Sequence, residues 1–219
     1  MSALQLSGDY LGSERVADTA VSLSTGKVAI VVEVAVEQDP ASIATRVEEW
    51  LTGLRVQLVI VVNIEITKAD IPAYSSFPSN HPSPCYNLDR EDLQNATSHS
   101  DDDVTALRDK ILDWHRKQDP PCPLVRMDRA TLYLYRQPTQ PDTEVVLFEN
   151  DHHTTPDVRI LPQDFRLPDG STQKDIFLPL QNLVDSFPGL VEGQTQWYAW
   201  KRALYLLKEF EKESFHDGT

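Results

Sequence analysis

A glutamate within an apolar run is the residue of this chain whose setting most clearly suggests chemistry. Glu33 lies between Val31 and Ala35, in a stretch rich in valine and isoleucine. Burying a carboxylate there costs free energy unless the group is paired, hydrogen-bonded or bound to a metal ion. Two interpretations are therefore open. Glu33 is a structural carboxylate that pairs with a basic residue such as Arg46 or emerges at a sheet edge, or it is a ligand for a hard divalent cation, which prefers oxygen donors.

An aspartate fifteen residues before Glu33 offers a second carboxylate. Asp18 lies in a short candidate strand, and a turn at Ser24-Thr25-Gly26 separates that strand from the apolar run. A hairpin through this turn would bring the two side chains next to each other. Two carboxylates around one Mg²⁺ can hold the ion, activate water and neutralise the charge of a phosphodiester transition state. Asp18 and Glu33 are therefore the predicted metal ligands.

The elements around these acids are predicted to be strands joined by one helix. Residues 28–37 are almost continuously apolar and β-branched, which is typical of a strand covered on both faces in a sheet with parallel pairing. Residues 40–54 are predicted as a helix, because Asp39 can cap the first turn and apolar residues recur at helical spacing. Residues 56–66 read as a second long strand, so a right-handed βαβ crossover is expected. The short run at 16–23 is predicted to be the strand before them.

The rest of the chain is predicted to complete a single α/β domain over residues 1–219. A core at 16–66 is followed by a polar, Pro- and Ser-containing stretch at 67–101, which is typical of a long loop. The remaining residues are predicted to form a C-terminal α+β extension at 102–219. Its expected elements are a helix at 102–116, a β-hairpin built from 129–136 and 144–149, and a final helix at 194–212.

The apolar residues of the final helix recur at helical spacing. Trp197, Trp200, Leu204 and Leu207 fall on one stripe. Such a stripe normally faces the core. Both tryptophans are therefore predicted to be core anchors rather than parts of a ligand cage.

Composition narrows the classes of partner. The formal net charge is −14, from 20 basic and 34 acidic residues, which disfavours a protein that coats nucleic acid through its phosphates. A local basic patch or a metal-dependent site remains compatible with that charge, and a protein partner stays open.

No apolar run approaches the roughly 20 residues needed to span a bilayer, and the N-terminus lacks the pattern of a signal peptide. We therefore expect an intracellular protein, cytoplasmic or nuclear, with no membrane partner.

The order of elements between residues 16 and 66 resembles the PD-(D/E)XK nuclease-like superfamily, whose fold is the restriction-endonuclease-like mixed sheet. Ala17-Asp18 stands where that family has Pro-Asp, and Val31-Val32-Glu33-Val34-Ala35 stands where its acid-x-Lys strand lies. The strand end Val34-Ala35-Val36-Glu37-Gln38 is similar to divergent fungal members with an EVxxSQ-type ending. The resemblance implies Mg²⁺-dependent hydrolysis of phosphodiester bonds in nucleic acid, with Asp18 and Glu33 holding the metal.

One position departs from the family pattern. The lysine expected two residues after the acid is Ala35. Gln38 at the strand end or Arg46 on the following helix could occupy that gap, and both are therefore candidate catalytic residues beside Asp18 and Glu33. Two hypotheses follow: a metal-dependent nuclease in which Gln38 or Arg46 orients water or stabilises charge, or a catalytically inactive descendant that acts as a protein-interaction module.

Overall fold

The computed structural model describes residues 4–5, 14–15, 18–23, 26–69, 88, 90–118, 123–167 and 176–216. Within the predicted elements, residues 16–17 of the first strand, 24–25 of the turn after it, and 70–87 and 89 of the long loop lie outside these ranges. The chain divides into two compact units, one formed by Met1–Ile66 with Met127–Ser186 and the other by Thr67–Arg126 with Phe187–Thr219. Among the described residues, no helix is both long and apolar enough to cross a membrane.

A six-stranded mixed sheet carries the predicted acidic residues. Two short strands, β1 (Leu4–Gln5) and β2 (Glu14–Arg15), pair with each other outside it. The sheet has the strand order β3-β4-β5-β6-β7-β8. Its strands are β3 (Thr19–Ser22), β4 (Val28–Val36), β5 (Leu58–Lys68), β6 (Val125–Tyr135), β7 (Thr143–Glu149) and β8 (His152–His153). The mixed α/β class is thereby confirmed.

The pairing of the first strands agrees with the predicted βαβ unit. Strand β3 pairs antiparallel with β4, and β4 pairs parallel with β5. The predicted hairpin is also present, since β6 pairs antiparallel with β7. Strand β5 begins two residues later than predicted, because Arg55 adopts a left-handed backbone conformation (φ 57°) and Val56 N–H still bonds to the carbonyl of Trp50.

The helix between β4 and β5 is defined by its first turn. Helix α1 (Pro40–Glu48) begins after Asp39, whose Oδ1 accepts from the Ser42 N–H at 2.9 Å. It continues as a π-helix over Glu49–Gly53, so the helical segment covers nearly the predicted range. The apolar residues of this segment pack on the sheet in one cluster, formed by Val31, Ala35, Ile43, Val47, Trp50, Val56, Val59 and Val61. That cluster covers the face of β4 on which Glu33 lies.

The second unit is built mainly from helices. Within the predicted loop at 67–101, β5 runs on to Lys68 and helix α2 (Arg90–Gln94) is present, so that part of the loop prediction is wrong. Helix α3 (Asp101–Arg116) begins one residue earlier than predicted, because Ser100 Oγ accepts from the Asp103 N–H at 3.3 Å. Its buried residues pack with helix α4 (Leu180–His216) in one cluster, formed by Leu88, Leu93, Val104, Leu107, Ile111, Leu112, Leu124, Ala199, Ala203, Leu206, Leu207 and Phe210.

Helix α4 differs most from its prediction. It runs from Leu180 to His216 without a break, with Pro188 inside it, and not only over 194–212. Two short strands, β9 (Arg159–Ile160) and β10 (Ile176–Phe177), pair antiparallel before it, and a 3₁₀ turn at Pro162–Phe165 lies between them. The prediction that Trp197 is a core anchor is wrong, since this residue is 47% exposed. At 100° per residue it lies nearly opposite the buried Leu206 on the helix.

Candidate functional site

The two predicted metal ligands meet where β3 begins. In the β3–β4 ladder Thr19 pairs with Val32. Continued by one residue, this register sets Asp18 opposite Glu33, where antiparallel neighbours share one face. The Asp18 carboxylate is anchored there, because its Oδ2 accepts from the Val34 N–H at 2.6 Å. The hairpin therefore brings the two acids together, as their spacing predicts.

Glu33 is buried and both of its carboxylate oxygens have partners. The residue is 5% exposed. Its Oε1 accepts from the Trp50 indole N–H at 2.8 Å, and its Oε2 accepts from Arg46 Nη1 at 3.3 Å. The ion pair with Arg46, one of the two interpretations of Glu33, is thus present. This ion pair does not exclude a role of Glu33 as a metal ligand, since an ionised carboxylate has about four acceptor positions.

The remaining two candidates form a chain of contacts with Glu33. Arg46 Nη2 donates to Gln38 Oε1 at 2.5 Å while Nη1 contacts Glu33. Gln38 follows Glu37, which adopts a left-handed conformation (φ 53°) and donates its N–H to the carbonyl of Ile64. This turn ends β4 and returns the chain toward α1. Asp18, Glu33, Gln38 and Arg46 therefore lie at one end of the β3–β4 pair.

A small cleft opens beside Glu33. Its volume is about 10 Å³, which is room for roughly one water molecule. Ala35, at the position of the expected lysine, contributes to its wall together with Glu33, Gln38, Ile43, Arg46, Val47 and Val61. The positive charge in this cleft comes from Arg46 on the helix instead of from the strand.

The electrostatic surroundings make Glu33 harder to ionise. Burial raises the pKa of its carboxyl above the ordinary value, and the nearby Asp18 carboxylate raises it further. Arg46 and the Trp50 hydrogen bond lower the pKa but do not offset these two effects. A cation placed between Asp18 and Glu33 would remove the like-charge repulsion and favour the ionised form.

The donor set fits the Mg²⁺ that the family resemblance implies. Mg²⁺ is commonly held by one or two carboxylates, with waters and substrate phosphates completing its octahedral shell. Asp18 and Glu33 supply two such carboxylates on one face. In the part of the chain that the structure describes, no group of three or more His, Cys, Asp and Glu side chains could enclose a metal ion. A Mg²⁺ ion held by Asp18 and Glu33 would therefore need waters or substrate phosphates as its remaining ligands.

Sequence reasoning missed two residues of this neighbourhood. Trp50 lies within the helix predicted at 40–54, and its indole N–H is the donor to Glu33. Asn63 pairs in register with Ala35, and its Oδ1 is buried with no hydrogen-bond partner among the described residues. The signal for Asn63 was an amide interrupting the apolar β5 run. For Trp50 it was a buried indole, which normally requires an acceptor.

Comparison with known proteins finds no matching family model, no matching curated protein and no matching solved structure. Any function assigned to the site must therefore come from the chemistry of its own residues.

Proposed function

We propose that this chain is a PD-(D/E)XK nuclease-like domain with a restriction-endonuclease-like fold, which hydrolyses phosphodiester bonds in nucleic acid with Mg²⁺. The observation that carries this proposal is the 3.3 Å contact between Arg46 Nη1 and Glu33 Oε2 on the face shared with Asp18. It supplies a cation next to two carboxylates although the strand has Ala35 at the lysine position. Two acids and one cation are the groups that such a reaction needs.

Each side chain has a distinct role in this proposal. Asp18 and Glu33 would hold Mg²⁺, which when bound neutralises phosphate charge and lowers the pKa of a water ligand. Arg46 would donate to the phosphate oxygens, where its planar fork matches their geometry. Because a guanidinium keeps its proton, Arg46 stabilises charge and does not act as a base. Gln38 positions Arg46, and Trp50 holds the Glu33 carboxylate in place.

Cleavage of supercoiled plasmid and of a labelled single-stranded oligonucleotide tests the proposal. We expect nicking that requires Mg²⁺ or Mn²⁺ and is abolished by EDTA and by Glu33→Gln. Arg46→Ala should lower the rate by about 100- to 1000-fold, the cost typical of losing one charge-stabilising donor. Glu48→Gln is the matched control, because Glu48 is an exposed acid on α1 away from the cleft. Metal-independent cleavage, or cleavage that survives Glu33→Gln, would contradict the proposal.

A catalytically inactive interaction module is the second candidate, and one observation favours it. Both Glu33 oxygens already accept hydrogen bonds, as a purely structural carboxylate would. On this alternative, calorimetric titration with Mg²⁺ or Mn²⁺ gives no heat of binding. A saturable heat that disappears in Asp18→Asn and persists in Glu48→Gln would exclude it.

A further inference from the structure

One side of helix α4 carries two exposed aromatic rings and three lysines. Trp197 and Tyr205 are 47% and 42% exposed, and Lys201, Lys208 and Lys212 are exposed beside them. At 100° per residue these five side chains fall within about 80° of the helix circumference. They extend over about 22 Å of its length. We name this set the α4 stripe.

The α4 stripe is a local concentration of positive charge on an acidic chain. None of its five residues is acidic, whereas the whole chain has a net charge of −14. Lys201 Nζ lies 3.9 Å from the centroid of the Trp197 ring, so charge and aromatic surface are in direct contact. Glu209 and Glu211 each lie about 40° beyond one edge of the stripe, and Glu209 forms an ion pair with Lys212. The stripe therefore offers cationic and aromatic groups together, with a carboxylate at each edge.

Packing of the helix does not explain why the rings are there. The buried side of α4 is occupied mainly by small and aliphatic residues such as Ala199 and Leu206, with the Phe210 ring also buried. Trp197 and Tyr205 point away from that side and leave large apolar surfaces exposed. Exposed aromatic rings next to lysines are typical of surfaces that bind single-stranded nucleic acid, where rings stack on bases and lysines neutralise phosphates.

We propose that the α4 stripe binds single-stranded DNA or RNA, with bases stacked on Trp197 and Tyr205 and phosphates held by Lys201, Lys208 and Lys212. A duplex fits less well, because its base faces are already stacked. An acidic peptide would use the lysines but has no flat rings to stack on the aromatic residues. This inference does not depend on the proposed hydrolysis, since none of the five residues belongs to the Glu33 site.

Fluorescence anisotropy with fluorescein-labelled (dT)₁₂ tests the inference on the full chain in EDTA, where metal-dependent cleavage cannot occur. We expect saturable binding at 50 mM salt. With three lysines, the slope of log K against log salt should be about −2 for a single strand. Trp197→Ala and Tyr205→Ala should each weaken binding by about 5- to 100-fold, the range for loss of one stacked base. Lys208→Gln should reduce the slope by about 0.7.

Lys117→Gln is the matched control, because this lysine, the C-cap residue of α3, is also strongly exposed but lies outside the stripe. Its affinity for (dT)₁₂ should equal that of the wild type. Circular dichroism checks that each variant folds. The inference is overturned if (dT)₁₂ does not bind at 50 mM salt, or if Trp197→Ala and Tyr205→Ala both bind it with wild-type affinity. It is also overturned if the matched duplex binds as tightly as (dT)₁₂. A dimer in sedimentation that Trp197→Ala dissolves would also overturn it, since the stripe would then be a self-association surface.

Discussion

The protonation of Glu33 is linked to folding, because the carboxyl is buried beside Asp18. Its pKa is raised in the folded state, so the native protein holds this proton more tightly than the unfolded chain does. The resulting stabilisation is fully present below the ordinary value of 4.5 and is lost as pH rises through the folded pKa. Glu33→Gln cannot gain or lose this proton. We therefore expect the free energy of unfolding of the wild type to fall relative to that of Glu33→Gln as pH rises from 4.5 through the folded pKa. Urea denaturation from pH 4 to 8 measures it, with Glu48→Gln expected to follow the wild type.

The indole of Trp50 is the second residue whose role the contacts define. Trp50→Phe keeps an aromatic ring but removes the donor to Glu33 Oε1, which leaves a buried carboxylate oxygen without that partner. We expect a loss of about 1–3 kcal/mol in the free energy of unfolding. A double-mutant cycle with Glu33→Gln isolates the contact. Additive losses in the two single variants would show that Trp50 acts only through packing.

At the scale of single elements, local signals determine how well the sequence predicts the structure. Helix α1 could be predicted because Asp39 and Pro40 mark its start and its apolar stripe faces the sheet. The full length of α4 could not, because a proline such as Pro188 is typical of a helix end, whereas the structure continues the helix through it. The proximity of Asp18 and Glu33 could be predicted in the same way, because it follows from a hairpin. The hydrogen bond from Trp50 to Glu33 could not, because Trp50 lies in a π-helix that the sequence does not indicate.

One partly buried ion pair links the residue after β6 to the 3₁₀ turn at Pro162–Phe165. Arg136 Nε and Nη2 each donate to one Asp164 oxygen at 2.8 Å, and Asp164 is 1% exposed. Asp164→Ala would leave the partly buried Arg136 with Asp142 as its carboxylate partner, so we expect a loss of about 1.5–3 kcal/mol. Thermal and urea denaturation measure the loss. Asp157→Ala, at an exposed acid, should change stability by no more than about 0.5 kcal/mol.

At the scale of the whole molecule, the net charge of −14 complicates any test of Mg²⁺ binding. Added salt screens the mutual repulsion of acidic groups and stabilises such a chain without a specific site. The proposed site adds a separate contribution that depends on the ligand concentration relative to its Kd. At 100 times Kd this contribution is about 2.7 kcal/mol.

Thermal denaturation in MgCl₂ and in NaCl of equal ionic strength separates the two effects. We expect Mg²⁺ to raise the Tm of the wild type beyond the NaCl value, because it binds the folded state at Asp18 and Glu33. Asp18→Asn should lose that excess while keeping the response to NaCl, and Glu48→Gln should keep both. Equal Tm values in the two salts for the wild type would mean that the acids bind no Mg²⁺ and that Glu33 serves only to hold Arg46 and Trp50 against the sheet.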